Sequence, residues 1–196
     1  MCSNFFRFKT LSTIVLFSVL IYSCSEKNDP STKSSPDPKV QKLKLPQGFH
    51  ADHLYGPSEN GEGSWVSMTF DGKGRLLASD QYGSIYRMQV PAIGDTVTKL
   101  KIEKLSIPNE GGTTADTSKK KVSIGYAHGL LWAFNSLYVM INHESDSEFS
   151  KGSGLYRLQD TDGDDRFDKI TLLKALEGEG EHGPHSIVLS PDKKSL

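Results

Sequence analysis

The sequence predicts an all-β fold, a partial β-propeller of four-stranded antiparallel blades, on three observations. The run Ile85-Tyr86-Arg87-Met88-Gln89 recurs as Leu155-Tyr156-Arg157-Leu158-Gln159. Ser67-Met68-Thr69-Phe70 recurs in character as Ser186-Ile187-Val188-Leu189. Short apolar runs are separated by tight Gly, Asn and Asp turns, the pattern of propeller blades rather than of helical solenoids. A β-sandwich would also give short strands, but it does not account for the recurrence of the third strand.

The first unit reads as strands at 65–70, 75–80, 84–90 and 101–107, with turns at Asp71-Gly72-Lys73-Gly74 and Tyr82-Gly83. The second repeats that order at 129–134, 137–143, 154–160 and 169–176, with a turn at Asn135-Ser136 and an acidic turn before the last strand. A third opens at 185–190 with a turn at 191–194. A blade buries its two faces only against neighbours, so two blades and the start of a third predict an incomplete ring with an exposed apolar flank.

Ahead of the strands lies an address. Arg7 and Lys9 precede an apolar run at 11–22, too short to span a bilayer comfortably, so residues 1–23 read as a signal peptide. The run ends in Ile21-Tyr22-Ser23-Cys24, which resembles a bacterial lipobox. Cys24 is then the lipidation site, and its acyl chains hold the protein to a membrane at about 0.8 kcal/mol per buried CH₂. Cys2 leaves with the signal, so the exported chain carries neither a disulfide nor a CxxCH haem site. Residues 24–42 are polar and Pro-rich, a flexible tether, and the domain occupies 43–196. The expected location is exported and lipid-anchored to a bacterial membrane, facing the periplasm or the surface.

The 196 residues are 36% hydrophobic and 24% charged, ordinary for a soluble domain. With 23 Lys+Arg against 24 Asp+Glu and no basic stripe, a dedicated nucleic-acid binder is excluded. Eighteen Gly and nine Pro without a short period exclude collagen and a long coiled coil.

In an antiparallel unit the start of the first strand and the end of the second share one end of the sheet. Three starts carry Glu62-Gly63-Ser64-Trp65, Tyr126-Ala127-His128-Gly129 and Glu181-His182-Gly183-Pro184-His185; two ends carry Asp80-Gln81 and Asn142-His143-Glu144. Four of the six His therefore fall on one rim. His182 and His185 are the catalytic candidates, and His128, Asp80 and His143 the substrate-binding ones. Such a set offers a base near neutral pH, partners for sugar-like hydroxyls and ligands for a hard cation. Each histidine could equally cap backbone groups or pair with a carboxylate. The connection 108–124 enters the same rim, as a lid or as disordered chain, with Lys119 to Lys121 as solvated charges.

Between third and fourth strands, Asp160, Asp162, Asp164 and Asp168 alternate as in a Ca²⁺ loop. Asp165 stands where that loop has its Gly, and Thr171 where it has Glu; the competing reading is an acidic hairpin.

At 65–87 (WVSMTFDGKGRLLASDQYGSIYR) and 181–196 (EHGPHSIVLSPDKKSL), within a span of 48–196, the chain resembles the N-terminal propeller domain of membrane-bound dehydrogenases in the glucose/sorbosone dehydrogenase-like, quinoprotein-type family. The resemblance implies oxidation of a sugar or polyol hydroxyl, with hydride passing to pyrroloquinoline quinone. It puts His182 in the base position, ahead of the strand Ile187-Val188-Leu189 and the turn Pro191-Asp192, with His185 as the rival. It gives His128 one place in a substrate-contacting polar pair, from which Ala127 departs. It assigns the quinone's cationic partners and Ca²⁺ ligands to later blades, and allows a haem domain or another electron acceptor as partner. Two functions follow: a membrane-tethered dehydrogenase with catalytic rim histidines, or a non-catalytic propeller lipoprotein that binds glycans or proteins there.

Overall fold

A computed structural model describes residues 37–93, 95, 100–107, 124, 126–143, 151–178 and 180–196. The expected signal peptide, Cys24, most of the expected tether and the connection at 108–123 lie outside the described residues. The chain divides into two units, 1–52 and 53–196. In the first, the described residues include a one-turn helix, α1 (Pro38–Gln41), started by Asp37, whose carboxylate accepts the Lys39 N–H at 2.7 Å.

The second unit is all-β. Its strands are β1 (Trp65–Phe70), β2 (Leu76–Asp80), β3 (Ile85–Met88), β4 (Ile102–Lys104), β5 (Ala127–Ala133), β6 (Ser136–Ile141), β7 (Gly154–Gln159) and β8 (Lys169–Ala175). They form two four-stranded antiparallel meanders, β1-β2-β3-β4 and β5-β6-β7-β8. The recurring motif takes the same place in both, because Ile85–Met88 is the third strand of one and Gly154–Gln159 of the other.

Local chemistry sets the turns. Asp71 and Asp80 each open a tight turn in which one carboxylate oxygen accepts the backbone N–H groups two and four residues on. Gly74 (φ 75°) and Gly83 (φ 93°) supply the left-handed residue these turns require. The β5–β6 turn is shifted by one residue from the sequence expectation: Phe134 and Asn135, at φ 48° and 50°, are its central pair, and Ser136 already pairs with Ala133.

The two sheets meet where the edge of one needs sealing. On its outer side β5 has free N–H groups at Leu130 and Trp132, which Ser67 Oγ and Thr69 Oγ1 of β1 accept at 3.0 and 3.2 Å. Ser79 Oγ donates to the Ala127 carbonyl at 2.5 Å. Strands β1 and β5 thus run side by side in the same direction, and backbone groups that would otherwise be orphaned are paired. Leu77, Ile85, Leu130, Leu137, Val139 and Leu158 belong to the core, and β6 is buried at every position. The opposite face of β1 exposes Val66, Met68 and Phe70.

The third unit differs from expectation. Residues 185–190 alternate in burial as β1 does, but they pair with no strand among the described residues and carry no strand assignment. The turn after them forms, with Ser190 N–H donating to the Ser195 carbonyl at 2.9 Å.

Candidate functional site

Both first strands carry the same irregularity near their start. Register skips between Trp65 and Ser67 in β1 and between Ala127 and Gly129 in β5, so Val66 and His128 are the bulge residues. A bulge re-aims a side chain at a sheet end, and in β5 that side chain is an imidazole. The bulges are closed alike: Gln81 N–H donates to the Ser64 carbonyl at 2.9 Å, and Asn142 N–H to the Tyr126 carbonyl at 3.1 Å.

This closure holds Asn142 just past β6, 2% exposed, as the hub of the site. Its Nδ2 lies 3.2 Å from His128 Nδ1, 3.2 Å from His185 Nε2 and 2.5 Å from the Gly180 carbonyl. The rings of His128 and His185 stand 5.1 Å apart. The chain around His185 comes this close because position 129 is glycine: a Cβ there would collide with the His185 carbonyl oxygen.

Partners fix the tautomers. His185 Nδ1 faces the Gly183 carbonyl at 2.5 Å and must donate to it, which leaves Nε2 as a lone pair for the Asn142 amide. His128 Nδ1 faces the same amide nitrogen, and a neutral ring that turns its lone pair to it carries its proton on Nε2. Burial, and then the neighbouring His185, push the His128 pKa below the usual histidine value, which keeps that ring neutral.

The sequence candidates thus separate by their surroundings. His128 and His185 are joined through Asn142. His182 ends a 3₁₀ turn, Gly180–His182, whose first carbonyl meets Asn142, so it lies at the same sheet end as His128. It is exposed and has no hydrogen-bond partner among the described residues. His143 follows Asn142, its ring 4.4 Å from Tyr126, which in turn approaches His128 edge-on at 6.0 Å. Asp80 stands at the corresponding end of the other sheet, but its carboxylate is occupied by the N–H groups of Tyr82 and Ser84 and by the Tyr86 hydroxyl at 3.0 Å. Burial and that hydrogen bond push the Tyr86 hydroxyl up to about 12. Beside it Trp65 stacks between Tyr55 and Tyr86, with centroids 5.3 and 5.4 Å away.

The acidic loop lies at the opposite end of the sheets. Ligand atoms of Asp160, Asp162 and Asp168 come within 4.8 Å of one another, a donor set a hard cation could use. Asp164 is not in that group; it accepts the Arg166 N–H at 2.9 Å. All three grouped carboxylates also accept backbone N–H groups of the loop. Asp165 takes the left-handed conformation itself (φ 71°), and its side chain receives Arg75 at 2.5 and 2.7 Å and Lys73 at 2.8 Å. Its carbonyl accepts Arg87 at 3.0 Å. Those cations hold the Asp165 carboxyl well below the usual range. Asp165 therefore ties one sheet to the loop of the other, beside a cavity of about 310 Å³ that Arg75, Arg87 and Trp132 help to line.

Comparison of the chain with family models, with curated proteins and with solved structures finds no match. Among the described residues, no helix is long and apolar enough to cross a membrane. Sequence reasoning placed Asn142 on the rim without giving it a role. Its signal was its place after the second strand of its unit, equivalent to Gln81. The Arg75–Asp165 connection left no signal in spacing.

Proposed function

We propose that the two sheets are consecutive blades of a β-propeller, and that the histidine end is the substrate-facing rim of an exported, lipid-tethered dehydrogenase domain acting on a sugar or polyol hydroxyl. The observation that carries this reading is the convergence of His128, Asn142 and the 180–185 segment at one sheet end, from three separate stretches of chain. In this reading Cys24 is the anchor and 24–42 the tether.

Each ring has the chemistry its hydrogen bonds leave it. His182, exposed and without a partner among the described residues, is the general base. His128 presents Nε2–H as a donor to a substrate oxygen. His185, engaged at both ring nitrogens, positions rather than reacts. His182 takes up the hydroxyl proton; the hydride of the same carbinol would have to pass to a separate two-electron acceptor. The acceptor that the resemblance implies is an anionic, tricarboxylate quinone. The rim side chains described above are imidazoles, an amide and a tyrosine rather than a set of cations, so they do not fit that quinone by themselves. The acidic loop is remote from these histidines, so a Ca²⁺ ion held there would not touch the reacting groups.

The test is a dye-linked assay of the intact protein supplied with pyrroloquinoline quinone and Ca²⁺ over a panel of sugars and polyols. Substrate-dependent dye reduction supports the reading. A second reading, glycan binding without turnover, rests on the same gathering of imidazoles and an amide, groups that can pair with sugar hydroxyls. Saturable sugar binding with no dye reduction would select it.

A further inference from the structure

We propose that His128 Nδ1, His185 Nε2 and the Asn142 carboxamide form a binding site for a divalent transition ion of the zinc class. The inference is independent of the dehydrogenase reading. It begins with a mismatch in the hydrogen bonding. The Asn142 amide has two hydrogens, yet three acceptors lie within 3.2 Å of its nitrogen. Meanwhile its Oδ1, on a side chain 2% exposed, is buried without a partner. A buried carbonyl oxygen left unpaired costs about 1–3 kcal/mol. Lone pairs crowd one side of the amide while a further donor atom stands unused.

A cation would engage the ring lone pairs and the spare oxygen together. The terminal torsion of Asn is soft and roughly two-fold, so a half-turn exchanges Nδ2 and Oδ1. That turn would set Oδ1 against two imidazole lone pairs and the Gly180 carbonyl, an arrangement repelled unless a positive ion lies between them. The resulting set is two imidazole nitrogens and two neutral oxygens. With zinc–nitrogen bonds near ~2.0–2.1 Å, donors around a tetrahedral ion stand about 3.3 Å apart, close to the present 3.2 Å from the amide to each ring, while the Gly180 carbonyl, now at 2.5 Å, would have to draw back.

The ring environments match this use. Metal-bound histidines commonly donate their other ring N–H to a backbone carbonyl, which fixes the tautomer and raises the ring's basicity as a ligand. His185 does so to Gly183. Imidazole donors select a borderline ion over Ca²⁺ or Mg²⁺. That separates this site chemically from the all-carboxylate loop at the far end. His128 Nε2–H and His182 stay free of the ion.

The experiment is calorimetric titration of the apo protein with Zn²⁺, repeated with Co²⁺ while its visible d–d absorption is followed. The expected result is one equivalent bound, with Co²⁺ bands typical of a four-coordinate nitrogen and oxygen site. His185→Ala and His128→Ala should each weaken Zn²⁺ at least about 100-fold, as loss of a direct ligand exceeds the usual penalty for outer-shell changes. Asp160→Asn and His182→Ala should leave affinity within about 2-fold. The near-isosteric Asn142→Asp, which supplies a charged oxygen, should tighten binding by about 10-fold or more, and it decides the matter if the alanine variants fail to fold. No saturable binding by the native protein, affinity indifferent to His128 and His185, or an Asn142→Asp protein that binds no more tightly would overturn the site. Dehydrogenase activity enters none of these readouts, so the two proposals fail separately.

Discussion

Asp165 does at one position what a glycine and a linker would otherwise share. It accepts a left-handed backbone that Asp tolerates better than most residues, and its carboxylate gathers Arg75 and Lys73. Asp165→Asn keeps the backbone preference and removes the charge. Equilibrium urea unfolding should show a loss of roughly 1–2 kcal/mol, with solvent screening of the half-exposed carboxylate setting the upper end. Because the native carboxyl sits below its ordinary value, its stabilisation is present above about pH 4 and is lost as pH falls through the native value. The variant should therefore unfold with a shallower acid limb. His128 acts in another pH window. Its pKa is lowered on folding, so below about pH 6.5 the unfolded chain takes up a proton that the native ring refuses, and stability falls. The denaturation midpoint should drop between about pH 7.5 and 5.5 in the native protein, and drop less in His128→Gln. An equal drop in both would show that burial of His128 carries no such linkage.

At the scale of the strands, side-chain hydroxyls rather than a further strand seal the outer edge of β5, and a glycine lets the next segment approach. Gly129→Ala puts a methyl group into the His185 carbonyl and against Met140, both rigidly placed. It should destabilise the protein by about 1–3 kcal/mol, as overpacking does. It should also displace the 180–185 turn, visible as lost protection of that segment from hydrogen exchange. Unchanged protection would mean that the close approach is not required. The strand order was legible because the IYRM and LYRL motifs mark equivalent third strands. The ends were less so. The strand expected at 84–90 stops at Met88, just ahead of Pro91, which has no N–H to pair. Phe134 reads as the last apolar residue of a strand, yet it is a turn residue and exposed, because a two-residue connection demands φ > 0 whatever the side chain. The expected strand at 185–190 has the right alternation, but strand pairing depends on a neighbour that residue pattern alone does not provide.

At the scale of the molecule, the two ends of the sheets have different work. One end is held by ion pairs among Arg75, Lys73, Arg87 and Asp165. The other gathers imidazoles around one amide. Strand direction alone made the second end legible, since it brings His128, Asn142 and their neighbours together across the chain. The hydrogen bonding of the rings was not legible, because it depends on the Gly180 and Gly183 carbonyls, backbone groups whose placement no spacing encodes. That is why His182 and His185, rivals in sequence, separate once hydrogen bonds are assigned. The most direct measurement is the turnover of His182→Ala and His185→Gln in the intact protein, each shown by circular dichroism to be folded. Loss of a general base costs about 10²–10⁴-fold. His182→Ala should lose kcat by at least about 100-fold, with activity partly restored by added imidazole, while His185→Gln should retain more of it. Full turnover in His182→Ala, or loss confined to His185→Gln, would contradict the assignment of the base.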